Sequence, residues 1–525
     1  MHNDPIFEPL WLGTLEVKNR IFRSNVTGRF DNYDGSGTQA RINWEARFAR
    51  GGVGAIISSF VPVHVSGRVQ PNYAHIDDDD KIPFWQAVGE AVHRFDCKFI
   101  LQLSHSGRQR DLPGVENHMR PAWTSTDQQD WFHGLLSKAM TPEEIQQVVA
   151  MFAAGARRAR ISGLDGIELH ATHGYLFTQF LSPAINDRKD QYGGSLENRA
   201  RFLMEVVRAI RHEVGRDYPL GVKINAVDFE DAVYPCRPAG AGLEESVQVC
   251  RWLEESGVDY LHISVGTIFP HPLLPPGGFP LDEANWWYGI MGSSGTRAYV
   301  NYAAFHFRKL RPVFHRLWNH FKSQRPLEGV SAEYAREIKR NVQLPVISTG
   351  GYQDARLIRH VISQGWVDAV SIARPLIANP DLPNIIKSGK DLPDSPCSFC
   401  NRCLLNAIYN PLACYDLRRF GGDYAEMIRR AMEVFDPPGT YVTNVPVPRV
   451  KPKGLYMLPP YSVPLGNRTD PISFGEPILP HGIRELNDRV RDNAVDVVQL
   501  RWRRLLEVGL VTIALIVAAC LLWVL

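Results

Sequence analysis

Eight short apolar segments, separated by stretches with helical periodicity, constrain the fold of this 525-residue chain more than any other feature. They are rich in valine and isoleucine and apolar on both faces, which is typical of parallel strands buried in a sheet. The segments span residues 21–27, 53–60, 98–103, 164–170, 220–226, 258–264, 345–349 and 367–373. Eight alternations of strand and helix predict an α/β TIM barrel, a closed cylinder of eight parallel strands.

Several helices between these strands can be located from their periodicity and their first residues. The predicted spans are 38–50, 82–95, 141–162, 195–214 and 354–364. The third begins with Thr-Pro-Glu-Glu, which is a capping-box pattern with proline in the first turn.

Residues 267–328, between the sixth and seventh predicted strands, are too numerous for an ordinary barrel connection. They are dense in aromatic residues and carry seven basic residues from Arg297 to Arg325. We expect a helical insertion here. Two placements stay open: an amphipathic helix lying at a membrane surface, or helices packed on the barrel.

The C-terminal residues Val508 to Leu525 carry no charge over eighteen positions, about the length that crosses a bilayer core of roughly 30 Å. They follow Arg501, Arg503 and Arg504, which predicts a single-pass transmembrane helix with the catalytic domain in the cytoplasm. A buried terminal helix or a partner-binding helix is the alternative.

The predicted organisation has four parts. A barrel occupies residues 1–395, a cysteine motif with a helical extension 396–436, a proline-rich linker 437–500 and the anchor 505–525. Because 58 basic residues nearly balance 56 acidic ones, we expect no nucleic-acid partner.

The most specific motif is the segment ELHATHGYLFTQFLSPAINDRKDQYGGSLENRARFL at residues 168–203. His170 ends the fourth predicted strand, and His173 and Tyr175 follow at the end of the barrel where reactive groups gather. This stretch resembles the active-site segment of the old yellow enzyme family of flavin oxidoreductases. The resemblance extends from residue 5 to about residue 415 and implies an FMN-binding barrel that uses NADH or NADPH.

The resemblance also implies residues that bind the flavin ring. The segment Ser24, Asn25, Val26 and Thr27 follows the first strand, and Thr27 would approach the ring system. Gln102, in the third strand, would meet the pyrimidine edge, where an amide can both donate and accept hydrogen bonds. Lys223 interrupts an apolar strand, so its charge needs a partner. The family places a cation at this point, beside N1 and the C2 carbonyl of the flavin.

A phosphate site is expected after the last two strands, as in many barrels. Gly350 and Gly351 follow the seventh strand and would let backbone N–H groups approach an anion closely. Ala373 and Arg374 follow the eighth strand, and a guanidinium suits a phosphate.

The same resemblance assigns catalytic roles. His170 and His173 would donate hydrogen bonds to the carbonyl of an α,β-unsaturated substrate, while Tyr175 would give a proton to its α-carbon. Hydride would pass from NAD(P)H through flavin N5 to the β-carbon. His271 is a further candidate for proton handling.

Four cysteines, Cys397, Cys400, Cys403 and Cys414, lie within eighteen residues. They resemble the [4Fe-4S] motif of 2,4-dienoyl-CoA reductases and trimethylamine dehydrogenases. Zinc or plain thiols are the alternatives. No glycine-rich βαβ pattern follows Cys414 in this sequence, so a cluster would need an external electron-transfer partner.

Three functional hypotheses follow. The first is an ene-reductase acting on an unsaturated carbonyl or quinone-like small molecule, with the anchor favouring a membrane-derived substrate. The second is an iron–sulfur flavoprotein of the amine dehydrogenase type that passes electrons to a membrane acceptor. The third is a tethered barrel that binds no flavin.

Overall fold

The computed structural model describes residues 4–110, 121–129, 136–229, 239–267, 277–291, 296–323, 326–407 and 410–435. All eight predicted barrel strands are present. The strands are β1 (Leu10–Leu12), β2 (Leu15–Val17), β3 (Ile21–Arg23), β4 (Ala55–Ile57), β5 (Val61–Pro62), β6 (Lys98–Ser104), β7 (Ala122–Thr124), β8 (Ser137–Ala139), β9 (Gly166–Ala171), β10 (Leu220–Asn225), β11 (Tyr260–Ser264), β12 (Val346–Thr349) and β13 (Ala369–Ile372).

Eight of these strands close into a parallel barrel in the order β3, β4, β6, β9, β10, β11, β12 and β13, and β13 pairs again with β3. The short strand β5 adds to β6. The predicted TIM barrel is therefore confirmed. The register sets Lys223 beside both His170 and His262, and Gln102 beside Glu168, so that polar side chains from neighbouring strands meet in the barrel interior.

The helices surround the barrel, and the five predicted ones are present with ends displaced by a residue or two. The helices are α1 (Gln39–Arg50), α2 (Ile82–His93), α3 (Pro142–Ile161), α4 (Leu176–Leu181), α5 (Leu196–Val214), α6 (Leu243–Glu255), α7 (Leu281–Met291), α8 (Thr296–His306), α9 (Arg311–Ser323), α10 (Ala332–Lys339), α11 (Ala355–Ser363), α12 (Arg374–Ala378), α13 (Leu382–Lys387), α14 (Arg402–Asn406) and α15 (Tyr424–Met432). Thr141 and Glu144 form the capping box predicted for α3.

The N-terminal end of the barrel is closed by the hairpin of β1 and β2. Leu12 and Val17 of this hairpin are fully buried and belong to one apolar cluster with Phe22, Ala55 and Tyr260. Because apolar side chains fill this end, the C-terminal end of the strands is the end left for polar chemistry.

The insertion between β11 and β12 is helical, as predicted, and contains α7, α8 and α9. Its aromatic side chains pack with the loops of the barrel mouth: Phe279, Trp287 and Trp318 share an apolar cluster with Phe60 and Tyr73. Of the two predicted placements, these aromatic residues therefore adopt the one in which the insertion packs on the barrel.

No helix in the described ranges is long and apolar enough to span a bilayer. The predicted anchor at 505–525, the linker at 437–500 and His271 lie outside the described residues.

Candidate active site

A cavity of about 310 Å³ opens among the residues that follow the C-terminal ends of the barrel strands. Of the thirteen described residues predicted for catalysis or flavin binding, all except Gln102 line it. Those lining residues are Ser24, Asn25, Val26, Thr27, His170, His173, Tyr175, Lys223, Gly350, Gly351, Ala373 and Arg374. The fold therefore brings together segments that lie as far apart as 350 residues in the chain, because all eight strands end at the same rim.

The two histidines form a contiguous pair. His170 Nε2 lies 3.3 Å from His173 Nδ1, and His173 Nε2 lies 2.8 Å from the Ser264 hydroxyl. The Ser104 hydroxyl lies 3.4 Å from His170 Nδ1. His173 adopts a left-handed backbone conformation with φ of 61°, a strained geometry that is often kept at functional sites. The pair is thus held in a fixed orientation from both sides.

Both imidazoles are uncharged at neutral pH. Burial lowers the pKa of His170 and of His173 well below the ordinary value, and the nearby Lys223 ammonium lowers both further. A neutral imidazole has one N–H donor and one acceptor nitrogen, so each can polarise a carbonyl without placing a second cation beside Lys223.

Tyr175 is positioned by aromatic packing. Its ring centroid lies 4.8 Å from that of His170 and 5.0 Å from that of Phe60. Burial raises the pKa of its phenol, with a smaller contribution from Tyr73. The hydroxyl therefore stays protonated and can act as a weak acid.

Lys223 is almost fully buried, and its ammonium donates hydrogen bonds to the Ser24 hydroxyl at 3.2 Å and to the Asn25 amide oxygen. Burial lowers its pKa to about 8, against the opposing effect of the Glu168 carboxylate. A cation with so depressed a pKa in a cavity is typical of a functional group.

Gln102 does not line the cavity. It is fully buried and donates from Nε2 to Glu168 Oε1 at 2.7 Å, while its Oε1 has no hydrogen-bond partner among the described residues. Glu168 also accepts from Tyr260 and contacts His262 Nδ1 at 3.0 Å. Sequence reasoning missed Glu168 and His262, although a charged and an ionisable residue inside apolar strands was a usable signal.

The residues of the predicted anion site line the same cavity. Gly350 and Gly351 both have positive φ, and a Cβ on Gly351 would lie 2.3 Å from the Leu327 carbonyl oxygen. Arg374 is buried there, donates to the Asn401 amide oxygen and lies with its guanidinium 5.1 Å from the centre of the Phe399 ring. Close backbone approach and a buried guanidinium are what a phosphate requires.

The Thr27 hydroxyl, which lines the cavity, accepts from the Phe60 backbone N–H at 3.1 Å. The rest of the cavity wall includes residues that sequence reasoning did not select: Phe60, Val69, Gln70, Tyr73, Gln109, Ser264, Trp287, Ser331, Leu404 and Ala407. Ser264 could have been found as the last residue of a barrel strand. Trp287 could not, since it lies in the insertion and only tertiary packing brings it to the cavity.

The four predicted metal-ligating cysteines, Cys397, Cys400, Cys403 and Cys414, line one small cavity together with Arg374 and Arg419. In the described ranges, no group of three or more histidine, cysteine or acidic residues is arranged to hold a single metal ion. A four-iron cluster is larger than a single ion and separates its thiolates more widely. The convergence of these thiols fits such a cluster, which stays a prediction.

The residues of the main cavity fit FMN. Lys223 offers a buried cation, the two glycines an approach that a Cβ would block, and Arg374 a buried guanidinium. Two buried cations at one cavity are hard to explain by packing, because burying a charge costs stability unless an opposite charge or a ligand compensates it.

The barrel and this cavity define a flavin-dependent oxidoreductase. A model of the NADH:flavin oxidoreductase / NADH oxidase family matches residues 5–269, and the chain belongs to that family. An NADPH dehydrogenase of Halalkalibacterium halodurans is 35% identical over 273 residues, which cover 51% of this chain and 76% of the relative.

An NADH oxidase of Thermoanaerobacter brockii is 33% identical over 402 residues, which cover 76% of this chain and 53% of the relative. The chain thus spans about half the length of the relatives that it matches over most of its own length. Among solved structures, a 2-naphthoyl-CoA reductase in complex with 2-naphthoyl-CoA superposes with a TM-score of 0.62 at 23% identity, covering 80% of this chain and 58% of that one. That likeness is one of fold.

Proposed function

We propose that this chain takes hydride from NADH or NADPH and reduces a carbon–carbon double bond conjugated to a carbonyl. The observation that carries the proposal is the meeting of two uncharged imidazoles, a protonated phenol and a buried ammonium at one cavity. FMN, when bound, supplies the hydride chemistry that amino-acid side chains lack.

The histidine pair holds the substrate carbonyl. An N–H of His170 or His173 donates to the carbonyl oxygen and draws electron density away from the β-carbon. The contacts with Ser104 and Ser264 fix the ring orientations before substrate arrives, so little reorganisation is needed.

Tyr175 gives a proton to the α-carbon. Its raised pKa keeps the proton on the phenol until a carbanion-like centre develops beside it. Because it packs edge-on against Phe60 and beside His170, its hydroxyl has a defined position relative to the carbonyl site.

The substrate has a flat apolar body. Phe60, Tyr73 and Trp287 form an aromatic wall of the cavity, and such walls favour planar or bulky apolar ligands over small polar ones. A cinnamyl-type enal or an aryl enoyl thioester has this shape.

The test is anaerobic reduction of the purified, FMN-loaded enzyme by NADH or NADPH, followed by reoxidation with enones, quinones and oxygen. In Tyr175→Phe, we expect reoxidation by an enone to slow by about 10²–10⁴-fold, the usual contribution of a general acid. Reoxidation by a quinone should be unchanged, because its oxygens take protons from water. Equal rates of Tyr175→Phe and wild type with the enone would overturn the proton-donor role, and a protein that binds no FMN would overturn the whole proposal.

An amine dehydrogenase that passes electrons to a membrane acceptor is the second candidate. Arg374 lines both the main cavity and the cavity of the four cysteines, so the two sites share a wall. Bleaching of the oxidised enzyme by secondary or tertiary amines, together with iron in anaerobically purified protein, would favour this function over ene-reduction.

The C-terminal anchor and cytoplasmic location remain proposals supported by the uncharged run at 508–525 and its basic flank. Retention of the full chain in membranes after alkaline extraction, and its loss on deletion of 505–525, is the expected result. Release of both the full chain and the deletion variant from the membranes would contradict the proposed anchor.

A further inference from the structure

The insertion carries a concentrated set of exposed apolar side chains. Twelve large apolar side chains are exposed in the described ranges, and five of them fall between residues 300 and 317. We call these five the outer face; they are Val300, Phe307, Leu310, Val313 and Leu317, with exposed fractions of 38% to 58%. Five exposed apolar side chains within eighteen positions of the chain indicate an interaction surface more strongly than single scattered ones do.

The outer face is separate from the apolar residues that pack the insertion on the barrel. Helix α9 has a second apolar side, on which Phe314 and Trp318 lie 5.1 and 4.5 Å from the Phe279 ring. Val313 and Leu317 are spaced one helical turn apart on the side that faces away from this cluster. The helix therefore has apolar residues beyond those needed to hold it on the barrel.

The sequence around the outer face is basic, and Asp282, just before this stretch, pairs with Arg311 at 2.7 Å. From Ala284 to Leu327 the sequence contains seven lysine and arginine residues and no aspartate or glutamate. Arg308, Lys309 and Arg316 are exposed and adjoin the apolar residues in sequence. Basic residues interleaved with Phe, Leu and Val are the composition of helices that lie in the interface of an anionic bilayer.

We propose that the outer face binds the surface of a lipid bilayer that contains anionic phospholipid. A second copy of the chain is a poorer occupant, since a two-fold contact would press two basic surfaces together. The chain's own segment at 508–525 is also a poorer occupant, because Arg501, Arg503 and Arg504 beside it would be repelled by the basic residues of the insertion.

Docking at this face would connect the bilayer with the active-site cavity. The insertion helices share one apolar cluster with Phe60, Tyr73 and Trp287, which line that cavity. An apolar substrate dissolved in the bilayer would then be presented at the insertion, the element that supplies part of the cavity wall. This surface stands on geometry and charge alone and does not depend on the proposed reaction.

The test uses the full chain with vesicles of phosphatidylcholine alone and of phosphatidylcholine mixed with phosphatidylserine. The variant is Val313→Glu with Leu317→Glu. The matched control is Trp11→Glu with Ile161→Glu, whose parent side chains are equally exposed, at 56% and 55%, but lie elsewhere. Two readouts are taken: the vesicle partition coefficient, and hydrogen–deuterium exchange of residues 300–323.

We expect wild type and control to bind phosphatidylserine vesicles more tightly than neutral ones, with exchange at 300–323 slowed on binding. The Val313/Leu317 variant should lose that protection, and its added affinity for anionic vesicles should fall about tenfold or more. Its exchange outside residues 300–323 should match wild type, which shows that the fold is retained.

Three results would overturn the proposal. The first is slow exchange at 300–323 in the absence of vesicles that becomes slower as the protein concentration rises, since a second copy would then cover the outer face. The second is slow exchange in the absence of vesicles at every protein concentration, since the chain would then cover its own outer face. The third is binding to anionic vesicles without any change in exchange at 300–323, since another segment, such as 508–525, would then account for all of it.

Discussion

In the absence of flavin, Lys223 should lower the free energy of unfolding of the protein. Burial lowers its pKa to about 8, compared with an ordinary value of about 10.4. At about 1.4 kcal/mol for each pKa unit, the difference corresponds to about 3 kcal/mol against the charged form. Replacing Lys223 with methionine removes this penalty and also two hydrogen bonds worth about 1 kcal/mol each, to Ser24 and Asn25. At pH 7 the flavin-free variant should therefore be more stable by about 1 kcal/mol.

The sign of the pH dependence follows from the two pKa values. Below pH 8 the ammonium is protonated in both the folded and the unfolded chain, so the penalty is fully present. Above pH 8 the folded chain releases the proton first, and the unfolded chain binds more protons until about pH 10.4. The wild type should thus gain about 2 kcal/mol relative to Lys223→Met between about pH 7.5 and pH 9.5. The advantage of the variant would then be reversed.

The assay is urea or thermal unfolding of flavin-free wild type and Lys223→Met at several pH values. Lys390→Met serves as the control for the lysine-to-methionine change itself, because the Lys390 side chain is 55% exposed. In FMN titrations, Lys223→Met should bind the cofactor more weakly. A stability difference that stays constant from pH 7 to 9.5 would show that Lys223 does not titrate near 8, and the argument from burial would be refuted.

Three further changes probe other parts of the site. Gly351→Ala should weaken FMN binding tenfold or more. A left-handed backbone costs a residue with a Cβ about 1–2 kcal/mol, and the Cβ would also clash with the Leu327 carbonyl. An unchanged affinity in fluorescence titrations with FMN would contradict the anion-site assignment. Trp287→Ala should raise KM for an aryl enal while leaving that for cyclohexenone within about twofold, and equal effects on both would remove Trp287 from substrate selection. Anaerobically purified protein should contain about four iron atoms per chain and lose them in Cys403→Ser; iron-free wild type would leave the four cysteines as plain thiols.

Most of the barrel was predictable because buried parallel strands must be apolar on both faces, a pattern that does not depend on the rest of the chain. The helix at Pro142–Ile161 was equally accessible, since Thr141 and Glu144 satisfy its first N–H groups locally. The polar residues at strand ends were predictable for a related reason. Once the strands are parallel and closed, their C-terminal ends must lie on one rim.

Other features needed the folded chain. Gln102 was predicted to meet the flavin, but only the register of β6 and β9 shows that its amide donates to Glu168 beside it. Uncharged histidines could not be read from the sequence, since their pKa values follow from burial and from the proximity of Lys223, 50 residues or more away in the chain.

The sequence by itself therefore determined the cylinder, the rim and the chemical types of the groups on it, because these depend on local periodicity and on residue identity. Tertiary structure decided which groups touch, which carry charge, and that Trp287 from the insertion walls the cavity. Contacts of this kind join residues distant in the chain, and the dielectric surroundings that set a pKa exist only after the chain has packed.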